Sequence, residues 1–264
     1  MKNRISLRSS LAAVAAILLT SSCMEVTTTE VHVIPDSPNP RVMTPSIFTN
    51  VPEGLASELG VEDGIPSSLC SFLVKKDGKE ILFDSGNGVA DSQLIPLLET
   101  HGVKPEDIDY VFITHLHGDH IGGMVKDGKA VFTNAKVYLN KDEYAGWENA
   151  AEMDMTKAYG DNLILFGAEN KLPCSVKAIM AYGHTPGHTM YRIDDIVFAG
   201  DIMHGTALQL VNPESCARFD QDQAKSAQAR KDALAAFKAE GLKVYGMHFP
   251  EPYFIQFSYL KHYE

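Results

Sequence analysis

The segment VFITHLHGDHIGG, residues 111–123, places four side chains that can bind metal within six positions. His115 and His117 are two residues apart, and on extended backbone such residues project to the same side. Neutral imidazoles at that spacing can bind one divalent ion. Asp119 has the same parity, whereas the adjacent His120 points in another direction, which suits a second metal ion. The loop therefore predicts some of the ligands of each ion in a two-metal site.

The missing ligands must come from elsewhere in the chain, since each metal ion needs at least one more. YGHTPGHT contains His184 and His188, VFAGD ends at Asp201, and VYGMHFP contains His248. Each residue alone is ambiguous, because an aspartate at a strand end is often a cap or turn residue and such a histidine is often a surface side chain. Together they complete a ligand set.

THLHGDHIGG resembles the H-x-H-x-D-H signature of the metallo-β-lactamase fold superfamily, and FDSGNG, GHTPGHT, AGD and MHFP resemble its other motifs in the same order. The resemblance runs from about residue 65 to residue 250 and implies an α/β fold, the four-layer αββα sandwich, in a single domain. It implies a first metal held by His115, His117 and His184, a second held by Asp119, His120 and His248, and Asp201 as the bridge between them. It also implies that Asp84 orients a ligand imidazole and that His188 lies behind the ligands.

The cofactors implied are two divalent metal ions, zinc first, with manganese, iron or cobalt as alternatives. Such a pair can share a hydroxide and polarise a carbonyl or phosphoryl oxygen. The expected reaction is hydrolysis of an ester, lactone or phosphotriester bond in a small-molecule substrate, with the metal-bridging hydroxide as nucleophile. Asp119 would also steer or receive the proton.

The segment after AGD looks most like the methyl parathion hydrolase-like and lactonase branch, and Asp201 is a residue that β-lactamases lack. His204 stands where related lactonases place a tyrosine, and we hypothesise that it is catalytic and helps polarise the substrate. A plain pocket-wall histidine is the alternative. Phe48, Trp147 and Phe166 are candidate pocket walls, although core packing is the commoner role for each.

Two other functions stay open at this point. One is a mononuclear iron enzyme similar to the persulfide dioxygenases, which would fill only the first site. The other is a surface lipoprotein that binds metal without turnover. Metal analysis separates the first from a hydrolase, because one iron per chain with oxygen uptake differs from two zinc or manganese ions.

The amino-terminal residues have the order of a secretory signal: basic residues, an apolar run of about ten residues, then small residues. Residues 1–22 are therefore predicted as a signal peptide, and the SSC that ends in Cys23 resembles a bacterial lipobox. The protein is expected to be exported, either periplasmic or anchored to a membrane by a lipid on Cys23, with ordinary secretion as the alternative. Residues 23–40 are predicted as a tether and 41–264 as the hydrolase domain.

Charge and cysteine content exclude other classes. The net charge is −11, and it becomes −14 without the signal, whose three charged residues are all basic. No nucleic-acid partner is expected from so acidic a chain without a basic patch. Relatives of this branch include dimers, so a homodimer is left open. Cys70, Cys174 and Cys216 are scattered, which indicates buried or inert thiols and no disulfide framework.

Hydrophobic patterns predict the elements around the motifs. LCSFLVKKDGKEILFD predicts a hairpin around Asp77-Gly78. DSQLIPLLETHG predicts a helix with Asp91 as its N-cap, and a longer helix is predicted between Asp220 and Gly241. Further strands are predicted at DYVFIT, KVYLN, SVKAIMAY, TMYRI and DIVFAG, with LKVYGMH as the last.

Overall fold

A computed structural model describes residues 28–150 and 153–257. The predicted signal peptide of residues 1–22 and the candidate lipid site Cys23 lie outside the described residues. Within the described ranges, no helix is long and apolar enough to cross a bilayer.

The strands are β1 Glu30–Pro35, β2 Arg41–Met43, β3 Phe48–Thr49, β4 Ile65–Ser67, β5 Cys70–Lys76, β6 Lys79–Phe83, β7 Tyr110–Phe112, β8 Val125–Lys126, β9 Lys129–Ala130, β10 Lys136–Asn140, β11 Leu163–Phe166, β12 Lys177–Met180, β13 Thr189–Ile193, β14 Ile196–Phe198, β15 Cys216–Ala217, β16 Lys243–Tyr245 and β17 Phe254–Gln256. The helices are α1 Leu55–Glu58, α2 Leu94–Thr100, α3 Gly118–Ile121, α4 Lys141–Gly146, α5 Asp154–Tyr159, α6 Thr206–Gln209 and α7 Gln223–Glu240.

Two mixed sheets form the centre of the domain. The first has the strand order β1-β5-β6-β7-β10-β11, and the second has the order β12-β13-β14-β16-β17. The hairpin β5–β6 has the predicted turn, since Asp77 and Gly78 have φ angles of +54° and +72°. Two consecutive positive φ values suit the twist of a two-residue hairpin.

Strand periodicity explains why the sheets stack. In β6, Phe83 points between the sheets, where its ring stacks on Phe198 of the second sheet at 4.0 Å, while Leu82 points to the opposite face and packs in the cluster with α2 and α5. On the outside of the second sheet, Val244 packs with Phe237 of α7. Helices therefore cover both outer faces, and the expected four-layer αββα sandwich is confirmed.

The predicted tether is wrong in part, because residues 30–35 form β1. This strand pairs antiparallel with β5, and Val31 and Val33 pack between the sheets. Alternating apolar residues in EVHVIP carry that strand signal. The folded domain therefore includes residues from 30 onward and does not begin at residue 41.

Three predicted boundaries also differ. Helix α2 begins at Leu94 and not after Asp91, because Asp36 accepts hydrogen bonds from Ser92 and Gln93 and holds them in a loop. Asp222 and not Asp220 caps α7. Strand β16 is followed by β17, which pairs with it antiparallel, so LKVYGMH is not the last strand.

Strand ends converge at one edge of the sandwich. β6 and β7 are parallel neighbours in the first sheet, and β14 and β16 are parallel neighbours in the second. The carboxyl ends of parallel strands meet at the same edge, so the loops that follow these four strands lie together. Those loops carry most of the predicted site. Cys70 and Cys216 are buried and Cys174 is partly buried, all three as free thiols.

Candidate metal centre

Three histidine nitrogens converge from two distant loops. His115 and His117 follow β7, and His184 lies between β12 and β13. His115 Nε2 is 2.9 Å from His117 Nδ1 and 3.2 Å from His184 Nε2, and the last two atoms are 3.0 Å apart. These residues, called the first group below, are the predicted ligands of the first metal.

The second group consists of Asp119, His120 and His248. Asp119 and His120 lie in α3, and His248 follows β16. The Asp119 carboxylate oxygens lie 3.8 Å from His120 Nε2 and 3.6 Å from His248 Nε2. One candidate ligand atom from each residue lies within 4.8 Å of the other two. This is the set predicted for the second metal.

Asp201 lies between the two groups at the end of β14. Its Oδ1 is 3.1 Å from His120 Nε2, and its Oδ2 is 3.2 Å from His248 Nε2 and 3.3 Å from His184 Nε2. The side chain is only 3% exposed. Its carboxylate thus faces both groups, which is the geometry that a bridging ligand requires.

The chemistry of this donor set fits cations. His184 Nδ1 bonds to Asp220, so Nε2 is the His184 nitrogen that faces those of His115 and His117. Three ring nitrogens about 3 Å apart repel one another unless a proton or a metal cation lies among them. His120 Nε2 and Asp201 Oδ1 are buried and 3.1 Å apart, yet neither makes a hydrogen bond of normal geometry to any described residue. Imidazole and carboxylate ligands in these numbers suit two divalent ions of the zinc type.

Three of the rings that face the centre are held from behind. His120 Nδ1 lies 2.6 Å from Asp84, His184 Nδ1 lies 2.8 Å from Asp220, and His248 Nδ1 lies 2.9 Å from the Ser68 carbonyl oxygen. Such partners fix the tautomer and the ring orientation of a metal ligand.

The contact of Asp84 is the one predicted from the sequence. Asp220 was interpreted only as a helix boundary, and nothing in the local sequence marks the carbonyl of Ser68. The one sequence signal available for Asp220 is its position two residues before Asp222, the cap of α7.

The protonation states differ within the first group. Burial, together with the neighbouring charge on His184, lowers the pKa of His117 to about 4, so this imidazole is neutral near pH 7 and can bind a metal. Burial acts the same way on His184, but hydrogen bonds to Asp201 and Asp220 outweigh it and raise its pKa to about 9. Burial opposes ionisation of Asp201, yet nearby imidazolium charges, led by His120, hold its pKa well below the usual range. An anion therefore lies at the centre.

His188 contacts the backbone of Asp201, whereas His204 contacts its carboxylate. His188 Nε2 accepts the backbone N–H of Asp201 at 2.9 Å, so it lies behind the ligands as predicted. His204 Nε2 is 2.9 Å from Asp201 Oδ2, and its ring stacks on His248 with centroids 5.2 Å apart. His204 is fully buried, and within residues 28–150 and 153–257 its Nδ1 has no hydrogen-bond partner. Its role in polarising a substrate stays a prediction.

The aromatic walls differ from the sequence expectation. Trp147 presents its ring edge-on to His117 at 5.7 Å, as a wall residue would. Phe166 packs in the core between the sheets and Phe48 in a separate small core, which is the core packing expected as the commoner role of such residues. Phe219 was missed: it is 43% exposed and its ring lies 4.7 Å from that of His204.

Residues 67–242, about two thirds of the chain, match the metallo-beta-lactamase superfamily. The chain therefore belongs to that superfamily, which agrees with the order of its motifs and with the layered fold.

Curated relatives cover parts of the chain. An exodeoxyribonuclease, WalJ, of Streptococcus pneumoniae is 33% identical over 119 residues, which are 40% of this chain and 44% of that protein. An N-acyl homoserine lactonase of Bacillus cereus is 29% identical over 107 residues, 39% of this chain and 40% of the lactonase. Ribonuclease Z of Haloferax volcanii is 29% identical over 178 residues, 64% of this chain and 50% of the enzyme. The chain thus spans half or less of the length of these relatives.

Solved structures match over more of the fold. The hydrolase AbOPH, of the beta lactamase superfamily, superposes with a TM-score of 0.76 and 28% identity, covering 86% of this chain and 89% of that one. AidC, a dizinc quorum-quenching lactonase, superposes with a TM-score of 0.75, 24% identity and the same two coverages. At that identity, the likeness to AidC shows the fold alone.

Proposed function

We propose that this protein is a dinuclear metal-dependent hydrolase that cleaves an ester, lactone or phosphotriester bond in a small-molecule substrate. The observation that carries the proposal is the position of Asp201, whose buried carboxylate faces both ligand groups at 3.1–3.3 Å. A site for one metal needs no such shared anion. A carboxylate that faces two ligand groups can bridge a pair of metal ions.

Two divalent ions bound at the two groups, zinc first, with manganese, iron or cobalt as alternatives, would supply Lewis acidity and a water that ionises near neutral pH. The protein's own residues then divide the remaining work. Asp119 is 37% exposed, and its Oδ2 lies 3.6 Å from His248, so it can hold a proton at the mouth of the site. His204 holds Asp201 Oδ2 through Nε2 and leaves Nδ1 free for a polar substrate group.

The substrate proposal rests on the walls and the charge. Phe219 and Trp147 flank the candidate centre with aromatic surface, which suits a small substrate that has an apolar part. Two of the relatives are nucleases, but a net charge of −11 opposes a polyanion. The name of the homoserine lactonase supports hydrolysis of a small lactone, and AbOPH is named a hydrolase of the same superfamily.

A substrate panel on metal-reconstituted protein tests the proposal. The panel spans acyl-homoserine lactones, aryl esters, phosphotriesters, a β-lactam and single-stranded DNA and RNA, with Asp201→Asn as the paired variant. Two zinc or manganese ions per chain, with turnover of one of the first three classes that the variant loses, support it. One iron with oxygen uptake, cleavage of the β-lactam or nucleic acid alone, or metal binding without turnover would each contradict it.

We also propose that the protein is exported and anchored through a lipid on Cys23. The support is the signal-like order of residues 1–22 and the small residues before the cysteine. Fractionation of cells that express the wild type and Cys23→Ala tests the anchor. The wild type should be in the membrane fraction and the variant should not, whereas equal soluble amounts of both would contradict the anchor.

A further inference from the structure

A buried carboxylate outside both ligand groups joins the loops that carry the first group. Glu143 lies in α4 and is 0% exposed. Its Oε1 accepts the backbone N–H of Leu116 at 2.9 Å and the indole N–H of Trp147 at 2.8 Å. Its Oε2 accepts the hydroxyl of Thr185 at 2.6 Å and the backbone N–H of Gly187 at 2.8 Å. All four partners donate, so the site is built for an acceptor-only group.

Two of these donors are next to first-group ligands in the chain. Leu116 lies between His115 and His117, whereas Thr185 follows His184 directly. One side chain therefore ties the backbone of the loop after β7 to the loop between β12 and β13. The gap that it spans is the gap across which the three histidine nitrogens meet.

Close packing shows that the second loop rests directly on α4. A Cβ on Gly187 would lie 2.0 Å from the backbone nitrogen of Glu143, and a Cβ on Gly146 would lie 2.4 Å from Cβ of Pro186. Both distances are too short for real atoms. The loop therefore has no room to move toward the helix, and the hydrogen bonds of Glu143 keep it from moving away.

We propose that Glu143 is a positioning residue that sets the geometry of the first group. The inference rests on the proposed metal-dependent function, since it concerns metal binding at that group. The four hydrogen bonds of Glu143 go to the two loops and to Trp147, and among the described residues none goes to the second group. Loss of Glu143 should therefore weaken the first metal and leave the second.

Glu143→Gln is the sharpest variant, because it keeps the size of the side chain. If the amide nitrogen faces Thr185 and Gly187, the hydroxyl can turn to accept but the Gly187 N–H meets another donor. If the amide is flipped, the N–H groups of Leu116 and Trp147 meet it instead. Either orientation leaves at least one buried donor without an acceptor. Thr185→Val is a milder second variant that removes one donor and keeps the carboxylate.

The experiment is a titration of the full chain with Co²⁺, followed by the visible absorption of the bound ion and by thermal unfolding. The wild type should bind two equivalents. Glu143→Gln should weaken one equivalent by about 10–100-fold and leave the other, and Thr185→Val should weaken the same one less. Asp119→Ala, which removes a member of the second group alone, should weaken the other equivalent. Val74→Ala, in the core between the sheets, should lower stability without changing the titration.

The outcomes separate the inference from the proposed function. Two wild-type equivalents in Glu143→Gln and Thr185→Val, or an equal weakening of both equivalents, would overturn the positioning role while leaving a two-metal protein. A wild type that binds no Co²⁺ would overturn the proposed function and the inference together. Selective weakening of one equivalent in Glu143→Gln, and of the other equivalent in Asp119→Ala, supports the inference.

Discussion

Asp220→Ala is the change for which the structure predicts the largest combined loss of stability and metal binding. The carboxylate is buried and accepts from four groups: His184 Nδ1 at 2.8 Å, Ser226 Oγ at 3.0 Å, Ala217 N at 3.1 Å and Arg230 Nη2 at 3.5 Å. Burial disfavours its charge, but the bond to His184 and the nearby cations hold the pKa of Asp220 below its usual value.

The expected loss of stability follows from the charge of Arg230, which stays buried after the substitution. Removing one partner of a buried ion pair costs ~3–5 kcal/mol, because the other charge stays buried. Arg230 keeps hydrogen bonds to the carbonyls of Ile202, Pro213 and Ser215, which favours the lower end of that range, ~3 kcal/mol. For a domain of this size the melting temperature should then fall by about 6–12 °C. The His184 ring also loses its anchor, so the first group should bind metal about 10–100-fold more weakly.

Thermal unfolding of the metal-free protein and Co²⁺ titration measure the two effects separately. The matched control is Asp222→Ala, which removes the exposed cap of α7 two residues away. It should lower the melting temperature less and leave the titration unchanged. If Asp220→Ala binds Co²⁺ like the wild type, or if the control destabilises the protein equally, the reasoning about the buried carboxylate is refuted.

Three further predictions concern the centre and its mouth. When the free metal concentration is 100 times each dissociation constant, each bound ion stabilises the protein by ~2.7 kcal/mol. Chelation of both metals should therefore lower the melting temperature by about 10–20 °C. An unchanged melting curve would contradict a metal site. Gly200→Ala should lose more than about 1 kcal/mol and weaken metal binding, because φ is +54° and the new Cβ would lie 2.5 Å from His188 Nε2; unfolding and titration both check this. Phe219→Ala should raise KM several-fold for substrates with large apolar groups and leave the melting temperature nearly unchanged. If the variant and the wild type have the same KM for a phenyl ester as well as for a methyl ester, Phe219 is not part of the wall.

Local sequence was sufficient for the elements with strong short-range signals. The Asp77-Gly78 hairpin and the helix that ends at Gly241 depend on neighbouring residues alone, and both were predicted. The predicted start of α2 was wrong because a distant residue, Asp36, holds the residues before this helix in a loop. Strand β1 was read as tether because its pairing partner β5 is about forty residues further along the chain.

The candidate site divides in the same way. Spacing within HLHGDH and the order of the motifs were enough to name the seven predicted ligands, because the residue type alone decides whether a side chain has a donor atom for a metal ion. The side chains behind them are different, since a carboxylate such as Asp220 or Glu143 acquires its role only when folding buries it against donors from other loops. Phe166 and Phe219 show the same limit for the walls, because two phenylalanines look alike in sequence and only packing decides that one lies in the core and the other at the mouth of the site.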